Sequence, residues 1–291
     1  MTIITFTIIL FFGAIAAGTL GSLTGLGGGV VIIPLLTLGF GVDIKYAVGT
    51  ALVTSIATSS GAAAAYIKEG MTNVRIGMFL EIATTLGAVL GALIAVFLPT
   101  SAIYIILGFT LIFSSIMTLR KKNASIDYSA PGSKFATRLK LNGTYPTPNG
   151  IQKYNVRNIG AGFSLMTIAG VLSGILGIGS GSLKVLAMDT AMKIPFKVST
   201  TTSNFMVGVT AAASAVIYFQ RGQIDPFLAM PIVVGVLFGA FIGSKILMAI
   251  NVQLLRKIFS LVIAILAIQM IYRGLEPSLT TWFPNINFPK L

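Results

Sequence analysis

The chain has 291 residues, of which 55% are hydrophobic and only 9% charged, with a mean hydropathy of +0.93 and a formal net charge of +13. A soluble domain carries about a quarter charged residues, so this composition reads as a polytopic membrane protein. Histidine and cysteine are both absent, which excludes thiol chemistry, disulfides, histidine metal sites and histidine proton relays.

The expected elements follow in chain order. Residues 3–24 are apolar, with no Lys or Arg before Phe12, so they read as a retained segment rather than a cleaved secretory signal, which needs a basic start. Gly25-Leu26-Gly27-Gly28-Gly29 then breaks the run; glycine costs roughly 1 kcal/mol against alanine inside a helix. Residues 30–40 are too short to span, since eleven helical residues reach only about 17 Å, and they fit a re-entrant half-helix. Segments at 47–67, 76–98 and 101–119 complete a first unit, residues 1–120.

Residues 121–157 form a linker. From Arg120 to Arg157 the basic residues are Arg120, Lys121, Lys122, Lys134, Arg138, Lys140, Lys153 and Arg157, against the single acid Asp127. A basic loop flanking spans is the signature of a cytoplasmic side with attraction to lipid headgroups, and no nucleic-acid partner is needed to explain it. Its Pro, Gly and Asn content reads as a mobile connection. The second unit, residues 158–276, has segments at 158–176, 182–192, 199–219, 227–249 and 254–273, with Gly177-Ile178-Gly179-Ser180-Gly181 after the first of them. Residues 277–291, with Trp282, Phe283 and Phe288, read as an interfacial tail.

The two units share one gap-free register at an offset of 152 positions. Gly25, Gly27 and Gly29 fall on Gly177, Gly179 and Gly181; Lys45, Thr50, Thr58, Tyr66 and Gly70 fall on Lys197, Thr202, Thr210, Tyr218 and Gly222; Gly87 and Gly91 fall on Gly239 and Gly243. The expected fold is therefore all-α, two homologous five-segment repeats, each with a broken or re-entrant helix. If each glycine break is a hairpin, a unit crosses an odd number of times and the repeats are inverted; if it is a kink in one span, they are parallel. The inverted arrangement places 14 Lys and Arg inside and four outside, with Lys184 and Lys245 in the membrane, and is preferred.

Chemistry concentrates at the breaks. A glycine-rich turn that opens a helix presents backbone N–H groups at a positive dipole end, so Gly25, Gly27, Gly28, Gly29, Gly177, Gly179, Ser180 and Gly181 are candidate anion ligands. Lys184, three residues past Gly181, replaces Ile32 of the first unit; an intramembrane lysine marks a site by default, with snorkelling or pairing to Asp189 as the plainer alternatives. In the run Ser199-Thr200-Thr201-Thr202-Ser203-Asn204, Thr202 and Asn204 are candidate substrate donors, although Ser199 or Thr200 could simply cap a helix. Thr50 is a weaker counterpart, with Thr54, Ser55 and Thr58 beyond it. Glu81, set against Val233 near the cytoplasmic end of its segment, is a minor candidate for a coupling proton. Lys45 and Lys197 read as interfacial anchors, Lys245 as a snorkelling residue, and Gly87 and Gly91 as a helix-packing pair. No nucleophile triad, P-loop, dinucleotide fingerprint or metal cluster is present in the sequence, and no cofactor or enzymatic activity is expected.

The run Gly21-Ser22-Leu23-Thr24-Gly25-Leu26-Gly27-Gly28-Gly29 with Pro34-Leu35-Leu36, and Ala47-Val48-Gly49-Thr50-Ala51-Leu52 with Thr58-Ser59, Tyr66 and Gly70, resembles the TauE/SafE sulfite exporter family. The resemblance covers nearly the whole chain outside the linker and tail. It implies transport of small sulfur-containing anions such as sulfite, sulfonates or thiosulfate. Apart from the resemblance, a coupling proton or ion, membrane lipid and a second copy in a homodimer are candidate partners, and the plasma membrane is the expected location. The second unit departs at Gly28, which becomes Ser180, and at Pro34, which becomes Leu186, so the substrate stays open. The alternatives are a carrier for another small anion or cation, and a non-transporting subunit that docks a soluble partner through the basic linker.

Overall fold

A computed structural model describes residues 3–24, 27–68, 70–120, 132–147, 150–249 and 252–282. Helix α1 is Ile3–Thr24. Helix α2, Gly29–Pro34, widens into a π-helical turn at Leu35–Gly39. Then come α3 (Ile44–Lys68), α4 (Val74–Ile94) and α5 (Thr100–Arg120). The linker holds α6 (Lys134–Arg138) and a hairpin of β1 (Gly143–Thr147) with β2 (Gly150–Tyr154). Helix α7 is Ile159–Leu176, and α8, Gly181–Leu186, again widens into a π turn at Ala187–Ala191. Helices α9 (Phe196–Gln220), α10 (Pro226–Ala249) and α11 (Val252–Trp282) complete the chain. Among the described residues, α1, α3, α4, α7, α9 and α10 are long and apolar enough to cross a membrane.

The expected segments coincide with these helices to within a few residues, except at the end. Helix α11 continues to Trp282, through the first part of the segment assigned to the tail; Phe283 and Phe288 lie outside the described residues. The π turn after α2 follows directly on Pro34, whose missing N–H could favour such a widening. Leu186 stands at the matching place in α8 and the same turn forms, so the proline is not its cause. Both turns close with one recurring bond, Val42 N–H to Leu36 O and Ile194 N–H to Met188 O, each 3.0 Å.

The chain reverses at both glycine breaks. Phe6, at the start of α1, packs edge-on against Phe40, just past the π turn, with centroids 4.9 Å apart. At the second break, Arg157 N–H and Asn158 Nδ2 donate to Met192 O (3.1 Å) and Ala191 O (3.2 Å). Each broken helix thus returns to the end from which it entered. Helices α3 and α9 lie side by side and antiparallel: a methyl at Gly49 would meet the Gln223 backbone, Ser59 Oγ donates to Asn204 O at 2.5 Å, and Thr201 Oγ1 donates to Met71 O at 2.8 Å. Helices α5 and α11 are also antiparallel, with Ser115 against Ser260 and Gly108 against Ala267.

Small residues set the closest approaches. A methyl at Gly18 of α1 would lie 2.8 Å from Val236 Cα of α10, and one at Gly170 of α7 would lie 2.9 Å from Thr84 Cα of α4. Gly87 and Gly91 face α7 in the same way, the packing role expected of small residues at four-residue spacing. Two phenols tie the hairpins to the long helices: Tyr66 OH donates to Ser22 O, and Tyr218 OH donates to Gly174 O, both at 3.1 Å.

The described part of the linker is folded, which corrects the expectation of a mobile connection. Ala136, Leu141, Tyr154 and Val156 are buried against Ile76, Leu80, Met188, Met192 and Ile194. Local turn composition had argued for mobility; burial of this apolar side overrides it. Asn73 joins the layers: its Oδ1 accepts from Ile76 N–H (3.1 Å), while its Nδ2 donates to Leu141 O (3.1 Å) and to Tyr154 OH (2.7 Å). Burial pushes the Tyr154 phenol up to about 12, outweighing the hydrogen bond from Asn73, which acts downward. The unfolded phenol ionises at its ordinary value of 10.0. The contribution of Tyr154 is therefore complete below pH 10 and declines as pH rises from there towards 12. Thermal melts at pH 9 to 12 should show this decline in the wild type and a shallower one in Tyr154→Phe; parallel slopes would refute it.

Candidate substrate site

The two glycine turns meet at mid-depth, where α3 crosses α9. A methyl on Gly27 would lie 3.3 Å from Val207 Cγ1 and 3.5 Å from Ser55 Oγ; one on Gly29 would lie 2.9 Å from Ser55 Oγ and 3.1 Å from Gly177 O. One on Gly179 would lie 2.6 Å from Val207 Cγ1. Left-handed backbone occurs at Gly27 (φ +78), Gly177 (+67), Gly179 (+68) and also at Ser180 (φ 48), a non-glycine. A residue with a Cβ in this region costs about 1–2 kcal/mol, so the exchange of Gly28 (φ −65) for Ser180 changes the backbone as well as the side chain. Gly181 opens α8 and is buried; Gly25 lies outside the described residues.

Equivalent threonines then do different work. In the first unit Thr58 Oγ1 accepts from Gly28 N–H at 3.3 Å and donates to Thr54 O at 2.9 Å. In the second, Thr210 Oγ1 accepts from Lys184 Nζ at 2.5 Å and lies 2.5 Å from Glu81 Oε1, to which it donates. Thr85 Oγ1 donates to the same Oε1 at 3.2 Å, whereas buried Oε2 has no hydrogen-bond partner. Lys184 is 0% exposed and Glu81 7%. Lys184 therefore does not snorkel. Helices α4, α8 and α9 converge on a buried ammonium–hydroxyl–carboxylate chain. Sequence reasoning singled out both charges separately but not Thr210 between them. The available signal was that both Lys184 and Glu81 break the 152-position register, replacing Ile32 and Val233, on either side of a threonine that keeps it.

The polar run is distributed over several tasks. Helix α9 starts at Phe196 behind Pro195, so Ser199 and Thr200 lie inside the helix and do not cap it. Ser203 Oγ donates to Gly181 O at 3.1 Å, tying α9 to the opening of α8. Asn204 Nδ2 donates to Ser22 O at 3.1 Å, and Asn204 Oδ1 has no hydrogen-bond partner. Thr202 Oγ1 accepts from Asn73 N–H at 3.1 Å. Thr50 Oγ1, Ser55 Oγ and Ser180 Oγ are buried without a partner. Because α3 and α9 are antiparallel with Ser59 level with Asn204 to Gly208, Thr50 and Thr202 lie towards opposite ends of the pair, roughly 20 Å apart along it at 1.5 Å per residue. They cannot touch one small ion together. Lys45 and Lys197 stand in the first turns of α3 and α9, again at opposite ends, and exposed Lys245 rests over the Phe241 ring at 4.3 Å. A further cation, Arg273 of α11, donates to Thr37 O in the first π turn.

Long apolar helices around a buried polar centre are the architecture of a multi-pass membrane transporter. The family model for the sulfite exporter TauE/SafE matches residues 10–270, and the chain belongs to that family. It is 28% identical over 279 residues to the probable membrane transporter protein YunE of Bacillus subtilis (strain 168), covering 93% of this chain and 99% of that protein. It is 26% identical to the probable membrane transporter protein YdhB of the same organism, over 82% of this chain and 87% of that one. A probable membrane transporter protein of Xylella fastidiosa (strain 9a5c) is 25% identical, over 94% and 98% of the two chains. No solved structure matches.

Proposed function

We propose that the protein is a secondary carrier that moves a small sulfur-containing anion, such as sulfite, thiosulfate or a sulfonate, across the cell membrane by alternating access of two inverted repeats. The observation that carries this reading is Lys184, fully buried three residues past the second glycine turn and hydrogen-bonded to Thr210, in a centre that also holds partnerless hydroxyls on Ser55, beside the first turn, and on Ser180, in the second. An intramembrane charge in a protein-lined centre is characteristic of an ion pathway. Oxyanions accept hydrogen bonds, so the ammonium, the hydroxyls and the turn backbone at Gly27, Gly29, Gly179 and Gly181 suit them, whereas the N–H groups of Gly28 and Gly177 are taken by Thr58 Oγ1 and Ser173 O. Asn204 completes the central set.

Inverted topology is supported by the antiparallel pairs α3–α9 and α5–α11, because the corresponding helices of parallel repeats would run the same way. With each break a re-entrant hairpin, 14 Lys and Arg fall on the linker's side and four on the other, which puts the linker in the cytoplasm. Thr202 then lies towards the cytoplasmic end of the path and Thr50 towards the other. Each would meet the anion in one of the two facing states rather than both at once.

The test is radiolabelled sulfite flux into proteoliposomes, with unlabelled thiosulfate, sulfate and acetate as competitors. Saturable flux blocked by sulfur oxyanions but not by acetate is the expected result. Flux that acetate blocks equally well removes the sulfur anion as the substrate class, and no flux with any of them removes the carrier reading.

A further inference from the structure

The buried chain Lys184–Thr210–Glu81 has a consequence for energetics that rests on the carrier reading. Its two formal charges cancel. The other titratable groups on the packed elements are few: α7 carries none, α9 carries Lys197 and Tyr218 near its two ends, the π turn after α8 carries Asp189, and α4 itself carries Arg75 in its first turn. An anion that arrives at Lys184 therefore competes with Glu81 for one ammonium and leaves the site with an excess negative charge. Burying an uncompensated charge is severely unfavourable. One proton on Glu81 removes the excess. We infer that Glu81 is the coupling group, and that the carrier moves its anion together with one proton, the proton riding on Glu81 while the anion occupies Lys184.

Geometry supplies the switch. Thr210 Oγ1 has one hydrogen and stands 2.5 Å from both partners, so it is the hinge through which each group senses the other. With Glu81 neutral the hydroxyl is released to its alternative acceptor, Met206 O at 3.0 Å, and Lys184 is left to the anion. Glu81 borders an apolar groove of about 500 Å³ on the outer face of α4 and α9, lined also by Met78, Ile82, Thr85, Leu86, Phe205 and Val209, and its Oε2 makes no hydrogen bond, so it has room to take a proton. The repeat-related position around Thr58 cannot do this, since Ile32 and Val233 stand there in place of Lys184 and Glu81. One proton per cycle follows from one such chain in two units. Reciprocity then requires the anion to favour proton uptake as much as the proton favours the anion.

Proteoliposomes with the membrane potential clamped at zero test this, using methanesulfonate, which is singly charged and holds no proton near neutral pH, so that one proton on Glu81 cancels its charge. A gradient of one pH unit should drive about a tenfold accumulation of methanesulfonate, with one proton entering per anion, read by an internal pH dye. Anion exchange without any response to the gradient overturns the inference and leaves the carrier intact. No flux of methanesulfonate or of sulfite overturns the carrier reading and the inference with it. In Glu81→Gln the accumulation ratio should fall from about ten to one and the proton entry read by the dye should vanish; a ratio that stays at ten refutes the role of Glu81. Should that variant not fold, Thr210→Val replaces it, and an unchanged proton stoichiometry there eliminates the switch.

Discussion

Replacing Lys184 with methionine, which keeps most of the volume and removes the charge, is expected to destabilise the protein by about 3–5 kcal/mol and to abolish anion flux. The cost arises because Glu81, 7% exposed, keeps its place at the end of a chain whose cation has gone, and breaking one partner of a buried pair leaves an uncompensated charge. The compensating experiment is the double variant Lys184→Met/Glu81→Gln. It should recover most of the lost stability, because the pair is removed together, yet carry no anion. Thermal unfolding in detergent, followed alongside flux, separates the two effects. A single variant as stable as the wild type, or a double variant as unstable as the single, would show that the two residues are not energetically joined. Nothing local in the sequence reveals that Glu81 depends on this lysine, since the two lie 103 positions apart.

The second large effect is expected at Gly177. It closes α7 at φ +67, and a methyl there would lie 2.6 Å from Val48 O and 2.7 Å from Val48 Cγ1. Gly222, at φ +65, has nothing within 4 Å. Both alanine variants incur the left-handed penalty of about 1–2 kcal/mol, but only Gly177→Ala adds an overpacking cost of about 1–3 kcal/mol. Gly177→Ala is therefore expected to lose about 2–5 kcal/mol and most transport, by pushing the second glycine turn off α3, while Gly222→Ala loses the smaller amount and keeps transport. Equal melting shifts for the two would mean that the contact with Val48 carries no energy.

Much of the candidate site was legible at the level of single residues. Glycine clusters, an intramembrane lysine and a polar run are local signals, because each breaks a strong local preference of an apolar helix. Thr50 and Thr202 show the limit of that reading. They coincide in the 152-position register and so look like two halves of one subsite, whereas the antiparallel packing of α3 on α9 sends them to opposite ends. The linker shows another limit. Its Pro, Gly and Asn mark turns correctly, but the burial of Leu141, Tyr154 and Val156 depends on the apolar surface offered by α4 and the second π turn, which lie far from them in the chain.

The sequence by itself determined the membrane class, the bounds of nearly every helix, the two breaks and the register between them. These follow from hydropathy, length and glycine content, which act over a few turns of chain. The tertiary structure decided that the breaks are hairpins, that α3 and α9 run antiparallel, and that Glu81 meets Lys184 through Thr210 across 129 positions of sequence between Glu81 and Thr210. Such facts depend on how each helix is rotated and which neighbour it packs against. That is settled by close approaches at residues such as Gly18 and Gly170 and by the cost of burying a charge alone, neither of which is a property of any local stretch.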